Sequence, residues 1–136
     1  MKFILDTNVL AALMKGDPGI LARLQGESRG AIGIPQPALA EVEYGIERLP
    51  RSKRKALLRE RFEAVRAEIG RSPWTDEVSR CFGEIKATLE RRGRRIEDFD
   101  VAIAAHAMAE GAVLVTANRS HMERVPGLLI EDWSSS

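Results

Sequence analysis

The stretch Phe3-Ile4-Leu5-Asp6-Thr7-Asn8 decides the fold prediction, because three apolar residues stop abruptly at an acid. Such a run predicts a short buried strand that presents a carboxylate at its carboxyl end. In open α/β sheets, ligands bind at that edge of the sheet. The alternative is a helix cap, in which one of the three polar side chains accepts the free amide hydrogens of a helix beginning near Val9. This stretch taken alone favours neither interpretation.

The size and charge of the chain limit what it can be. Its 136 residues predict one domain, 1–136, that ends in a C-terminal tail at 131–136. With 21 Lys and Arg against 20 Asp and Glu, the net charge of +1 makes no case for nucleic-acid binding. Basic residues nevertheless cluster at 48–71 and 91–95. Each cluster taken separately is best explained as a solvated helix face.

The single cysteine and the two histidines exclude several kinds of site. Cys81, which we expect in the core, has no partner for an intramolecular disulfide or a thiolate metal site. Neither His106 nor His121 lies at zinc-site spacing from a second ligand. The N-terminal apolar run is too short for a signal peptide, and no run reaches membrane-spanning length. These features predict a cytoplasmic protein without membrane association.

The remaining chain alternates short apolar strands with helices. Further strands are predicted at 31–34, 112–115 and 128–130. Helix starts are predicted at Asp17, Ser52, Thr75 and Asp98, and helix ends at Gly16, Gly70, Gly93 and Gly111. The helix after Ser52 is expected to bury Leu57 and Phe62. Strands that alternate with helices predict a three-layer α/β/α domain with a short central parallel sheet.

Polar side chains recur where these elements begin or end. They are Asp6 and Asn8 after the first strand, Glu41 in the helix after the second, Asp98 and Asp100 opening an alanine-rich helix, and Asn118 after the late strand. Because parallel strands end at one edge of a sheet, these groups can converge there. Carboxylates gathered in one crevice repel one another, and a Mg²⁺ or Mn²⁺ ion relieves that repulsion.

Such an ion suits phosphodiester chemistry. It lowers the pKa of a bound water and neutralises the charge that builds on the leaving oxygen. Basic helices beside the acids would hold a phosphate backbone. The pattern therefore favours a metal-dependent nuclease.

Four ordered blocks of the sequence resemble the PIN-domain ribonucleases. The first is Phe3 to Asn8, and the others are Leu39-Ala40-Glu41-Val42-Glu43-Tyr44-Gly45, Asp100-Val101-Ala102-Ile103-Ala104-Ala105-His106-Ala107 and Leu114-Val115-Thr116-Ala117-Asn118. The last block, with the ending from Arg124-Val125-Pro126-Gly127-Leu128 to Glu131-Asp132-Trp133, is similar to the VapC toxins of bacterial toxin–antitoxin pairs. The similarity spans nearly the whole chain in the same order.

This resemblance implies a PIN-like fold and an endoribonuclease toxin that uses Mg²⁺ or Mn²⁺. The implied substrate is tRNA, cleaved in the anticodon loop. A homodimer is also implied, held inactive by a VapB-type antitoxin within a hetero-oligomer. Operator DNA would then be contacted only through the antitoxin.

By position, the resemblance assigns roles to particular residues. The metal-binding acids are Asp6, Glu41 and Asp100, and Asn118 is the fourth catalytic residue. The polar residues that support them are Thr7, Asn8 and Thr116.

Other residues are assigned less narrowly. Asp98 is expected either to cap its helix or to act as a further outer acid. Glu43 is expected on the surface or in contact with the antitoxin, because it points away from Glu41 on a helix. The candidates for RNA binding are Arg51, Lys53, Arg54, Lys55 and His121.

Two other functions are consistent with parts of this pattern. One is a non-catalytic PIN-like partner that binds RNA or DNA, although the presence of all three core acids argues against it. The other is a phosphatase of the haloacid-dehalogenase type, which places a second acid two residues after the first. Here that position is Asn8, and no late pair of adjacent acids follows a strand.

Overall fold

The computed structural model describes residues 1–134, which contain one five-stranded, all-parallel sheet. Its strands are β1 (Phe3–Leu5), β2 (Ile32–Pro35), β3 (Gly70–Ser72), β4 (Val113–Val115) and β5 (Ile130–Glu131). The strand order is β3-β2-β1-β4-β5, so β1 lies at the centre.

Helices flank this sheet and complete the predicted three-layer α/β/α fold. They are α1 (Thr7–Met14), α2 (Pro18–Gln25), α3 (Gln36–Glu47), α4 (Lys53–Glu68), α5 (Asp76–Arg91), α6 (Asp98–Glu110) and α7 (Arg119–Met122). The predicted caps Asp17, Ser52 and Thr75 all accept backbone amide hydrogens at their helix starts. Gly111 ends α6 in the left-handed region, at φ 63°, as its residue type favours.

The central strand β1 is fully buried and brings the first acid to the sheet edge. Phe3 pairs with Ile32 of β2 on one side and with Val113 of β4 on the other. The backbone N–H of Asp6 then donates to the carbonyl oxygen of Val115 at 2.9 Å, and α1 begins one residue later. Asp6 therefore lies between the carboxyl ends of neighbouring strands.

The strand predictions were incomplete at the edges of the sheet. β3 was not predicted, because it consists of Gly70, Arg71 and Ser72 and only its last residue is buried. β5 forms at 130–131 rather than 128–130. Short edge strands lack the continuous apolar run that identifies a buried central strand.

The start of α6 differs from the prediction. Glu97 occupies the cap position, without a side-chain hydrogen bond, and Asp98 is the first helical residue. Its carboxylate instead forms an ion pair with Lys86 of α5 at 3.1 Å. The prediction that Asp98 caps this helix was therefore wrong, because a cation on the neighbouring helix competes for its side chain.

Helix α4 buries fewer of its apolar side chains than the sequence predicts. Phe62 is fully buried, but Leu57 is 45% exposed. In α5, Cys81 packs against the core but is only partly buried, so it lies at the edge of the core where its position was predicted. Within residues 1–134, no helix combines the length and apolarity that a membrane span requires.

The segment assigned to a C-terminal tail, 131–136, contributes to the fold as far as it is described. Glu131 pairs within β5, and the buried Trp133 ring packs edge-on against Phe3, with ring centroids 4.9 Å apart. The Arg23 guanidinium lies over Trp133 at 4.8 Å. The last two residues of the predicted tail, Ser135 and Ser136, lie outside the described residues.

His106 is a buried polar residue in the middle of α6. Its Nδ1 lies 3.0 Å from the Ser72 hydroxyl oxygen, and the Trp74 ring meets it edge-on at 5.6 Å. Within residues 1–134 its Nε2 has no hydrogen-bond partner. Burial lowers the pKa of His106 to about 4, so the folded protein holds the ring neutral at pH 7.

We predict that His106 destabilises the fold as the pH falls. Between its folded pKa of about 4 and its unfolded value of 6.5, the unfolded chain binds a proton that the folded chain does not. The free energy of unfolding should therefore fall by about 1.4 kcal/mol for each pH unit across this window, beyond the contribution of other groups. In His106→Asn this component should disappear when urea denaturation is compared at pH 7 and pH 5. An identical pH dependence in the variant and the wild type would contradict the prediction.

Candidate active site

Asp6 is the centre of the acidic site and is only 2% exposed. Its Oδ1 accepts the backbone N–H of Thr7 at 2.7 Å, and its Oδ2 accepts the hydroxyl hydrogen of Thr116 at 2.7 Å. The helix-cap interpretation of the opening stretch is therefore confirmed, and the strand also presents this carboxylate at its carboxyl end. One carboxylate oxygen caps α1, while the other is held by the residue that follows β4.

A hydrogen-bond network joins the ends of β1 and β4 around this carboxylate. The fully buried Thr116 hydroxyl also accepts the backbone N–H of Asn118 at 2.9 Å. Asn8 Oδ1 accepts the N–H of Ala117 at 3.0 Å, and Asn8 Nδ2 lies 3.4 Å from Asp6 Oδ2. The supporting residues Asn8 and Thr116 thus lie where they were predicted.

Glu41 reaches the same site from α3. The Thr7 hydroxyl donates to Glu41 Oε1 at 2.5 Å, which is a short, charge-assisted hydrogen bond. Thr7 therefore contacts both acids, since its backbone amide binds Asp6 and its side chain binds Glu41. The first turn of α1 fixes the positions of two carboxylates from distant parts of the chain.

Asp100 completes the acidic cluster, which we define as Asp6, Glu41 and Asp100. It lies half-buried in the first turn of α6. Burial, which is the largest cause, and the negative charges of Asp6 and Glu41 together raise its pKa to about 6. Burial also raises the pKa of Asp6, against its hydrogen bonds to Thr116 and Thr7. The three acids therefore interact electrostatically, as the sequence predicted.

A fourth acid near this cluster was missed. The charge of Glu97 also raises the pKa of Asp100. Glu97 precedes Asp100 by three residues at the start of α6, a spacing at which two side chains become neighbours on a helix. That spacing could have identified Glu97 from the sequence.

Asn118 and His121 lie on the other side of the cluster. The Asn118 side-chain nitrogen Nδ2 is 3.0 Å from His121 Nδ1. The positive form of His121 opposes the rise in the pKa of Asp100, which places the ring within electrostatic reach of that acid. Both residues therefore lie at the site where they were expected.

The basic candidates for RNA binding are not gathered at the acids. Lys55 Nζ donates to the carbonyl oxygens of Glu47 and Leu49, each at 3.1 Å, and so closes the end of α3. Arg51 in the adjoining turn is exposed, as are Lys53 and Arg54 at the start of α4. Glu41 lies six residues before the end of α3, roughly 9 Å along the helix axis. These side chains make no contact with the acidic cluster in the described part of the chain.

Asp98 and Glu43 form ion pairs outside the acidic cluster. Asp98 forms its ion pair with Lys86, so no contact in this structure supports its expected role as an outer acid. Glu43 forms ion pairs with Arg59 at 2.9 Å and Arg66 at 3.6 Å. Across residues 1–134, no group of three His, Cys, Asp or Glu side chains is arranged to hold a metal ion on its own.

The comparison with protein families identifies this arrangement. Residues 3–128 match the family model described as the PIN domain. The tRNA(fMet)-specific endonuclease VapC of Shigella flexneri is 34% identical over 134 residues, which cover 98% of this chain and 99% of that protein.

Solved structures agree with this assignment. DNA-bound VapBC from Salmonella typhimurium superposes with a TM-score of 0.88 at 31% identity, covering 98% of each chain. VapBC2 from Rickettsia felis, bound to a DNA fragment from its promoter, gives a TM-score of 0.87 at 28% identity. That match covers 98% of this chain and 100% of the other.

We predict that Asp6→Asn lowers the pKa of Asp100 from its value of about 6. The substitution removes one of the negative charges that oppose ionisation of Asp100, while the part due to burial remains. The side-chain carboxyl of Asp100 can be titrated by ¹³C NMR. Asp76→Asn, an exposed substitution in α5, should leave that titration unchanged. Equal midpoints in Asp6→Asn and the wild type would show that the two acids do not interact.

Proposed function

This chain belongs to the PIN-domain family, among its VapC ribonucleases, and we propose that its substrate is a tRNA cut in the anticodon loop. The observation that carries the proposal is the acidic cluster at the carboxyl edge of the sheet. Support for tRNA comes from the Shigella flexneri relative, whose name specifies a tRNA endonuclease. The proposed consequence of cleavage is arrest of translation in the cytoplasm.

We propose Mg²⁺ or Mn²⁺ as the cofactor, held by Asp6, Glu41 and Asp100. All three provide oxygen donors, which both ions prefer. The pKa of Asp100 is raised first by burial and then by the negative charges of Asp6 and Glu41, and a cation would offset those charges. No group of three such side chains in residues 1–134 is arranged to hold an ion unaided, and Mg²⁺ usually keeps waters and substrate phosphates among its ligands.

When bound, such an ion would activate a water for attack on phosphorus and neutralise the leaving oxygen. The residues of the chain position the acids for this role. Thr116 and the backbone of Thr7 fix both oxygens of Asp6, and the Thr7 hydroxyl orients Glu41. The Asn118 side chain lies beside the cluster, where it can hydrogen-bond a water or a phosphate oxygen.

The proposed partners are a VapB-type antitoxin and a second copy of this chain. Structures of relatives from Salmonella typhimurium and Rickettsia felis are VapBC assemblies bound to DNA. We propose that this chain likewise forms a homodimer and a toxin–antitoxin hetero-oligomer. Operator DNA would be contacted through the antitoxin, because a net charge of +1 gives this chain little electrostatic attraction to DNA of its own.

The two alternatives are less well supported. A phosphatase requires an acid at position 8, whereas Asn8 uses its carbonyl oxygen to bind the N–H of Ala117. A non-catalytic partner would have no need of three mutually repelling carboxylates, one of them fixed by hydrogen bonds to both oxygens.

We predict a graded loss of tRNA cleavage across three variants of the purified, antitoxin-free protein. Asp6→Asn should abolish the discrete fragments that the wild type produces with Mg²⁺ or Mn²⁺. Thr116→Val should lower the rate by about 10- to 100-fold, because it removes the hydrogen bond that orients Asp6. Thr116→Ser, which keeps the hydroxyl, should retain most of the activity. Gel analysis of a total-tRNA pool measures all three.

The controls separate metal dependence from loss of the fold. EDTA should abolish wild-type cleavage, and Asp76→Asn should cleave like the wild type. Thermal unfolding should show Asp6→Asn at least as stable as the wild type, since it relieves repulsion in the acidic cluster. Cleavage by Asp6→Asn at the wild-type rate, or by the wild type in EDTA, would contradict the proposal.

A further inference from the structure

A polar pocket adjoins the acidic cluster without being part of it. Its volume is about 460 Å³, within the range of small-ligand sites, and it is lined by Arg95, Ile96, Glu97, Asp98 and His121. One wall is the turn that leads into α6, two residues before Asp100. The other wall is His121, whose ring contacts Asn118 of the site.

The walls of this pocket are fixed by contacts with the rest of the protein. Arg124 Nη1 donates to the carbonyl oxygen of Arg95 at 2.9 Å, which holds the turn against the end of α7. Ile96 packs half-buried against the core, and Lys86 pairs with Asp98 at 3.1 Å. The pocket is therefore formed before any ligand binds.

The polar groups of the pocket remain available to a ligand. Asp98 is neutralised by Lys86, but in residues 1–134 neither the Arg95 guanidinium nor the Glu97 carboxylate has a hydrogen-bond partner. His121 Nδ1 lies 3.0 Å from Asn118 Nδ2, so the other ring nitrogen, Nε2, is left to donate to a ligand. The pocket thus combines one strong acceptor, Glu97, with donors from two other residues.

We propose that this pocket receives one unpaired base next to the scissile phosphate, and that Glu97 and Arg95 read its edge. The inference rests on the proposed ribonuclease function. Proteins read RNA sequence mainly from bases that are splayed out of loops and hydrogen-bonded on their edges. A carboxylate accepts two hydrogens side by side, and guanine presents such a pair at N1 and N2. Its O6 and N7 accept from arginine. Guanine is therefore the expected base.

The test is a comparison of cleavage-site preferences on a stem–loop RNA library with a randomised loop. Sequencing of the cut ends from the wild type should show guanine enriched at one position flanking the cut. Glu97→Gln and Arg95→Ala should each reduce that enrichment by at least about fivefold, because each removes one partner of the base edge. Glu84→Gln and Arg92→Ala make the same charge changes at exposed positions outside the pocket and should keep the wild-type preference.

The outcomes distinguish this inference from the proposed function. If the wild type cleaves the library but both pocket variants keep its base preference, the pocket does not read a base and the inference is overturned. The same conclusion follows if all four variants change the preference equally, since charge alone would then explain it. If the wild type cleaves neither the library nor cellular RNA, the proposed function fails and the inference fails with it.

Discussion

The hydrogen bond from the Thr116 hydroxyl to Asp6 is the interaction on which the site depends. A carboxylate that is 98% removed from solvent loses most of its hydration, and this loss is tolerated only when other donors replace water. Thr116 provides one donor and the first amide of α1 provides another, at 2.7 Å each. Because Thr116 follows β4 and Asp6 follows β1, this bond also fixes the ends of two neighbouring central strands.

The acidic cluster destabilises the folded chain at neutral pH, although the proposed function requires it. Asp100 has a folded pKa of about 6 against an ordinary value of 3.8, so its contribution to stability is greatest in acid and is lost as the pH rises through 6. At neutral pH the ionised cluster is therefore a destabilising feature of the isolated chain. A bound cation would bring the opposite charge to this edge and offset the repulsion. The arrangement is expected of a site that is organised for a ligand rather than for its own stability.

Much of the fold and of the acidic site could be predicted from the sequence, because the helix caps and site acids lie at the ends of strongly apolar elements. The buried run Phe3–Leu5 and the caps Asp17, Ser52 and Thr75 identify their elements locally. Contacts between distant parts of the chain could not be predicted in this way. Lys86 of α5 forms an ion pair with Asp98, which therefore does not cap its helix. The strand β3 has no apolar run and is defined by its pairing with β2. Similarly, Lys55 looked like a phosphate ligand but binds carbonyl oxygens at the end of α3.

Mn²⁺-induced NMR line broadening in the RNA-free protein measures whether Asp6, Glu41 and Asp100 form the cation site that the proposed function requires. Signals from Asp6, Glu41 and Asp100 should broaden first at substoichiometric Mn²⁺. That broadening should be lost in Asp6→Asn and retained in Asp76→Asn. Broadening centred on exposed acids such as Glu60 and Glu63, or broadening at the cluster that survives Asp6→Asn, would contradict the account.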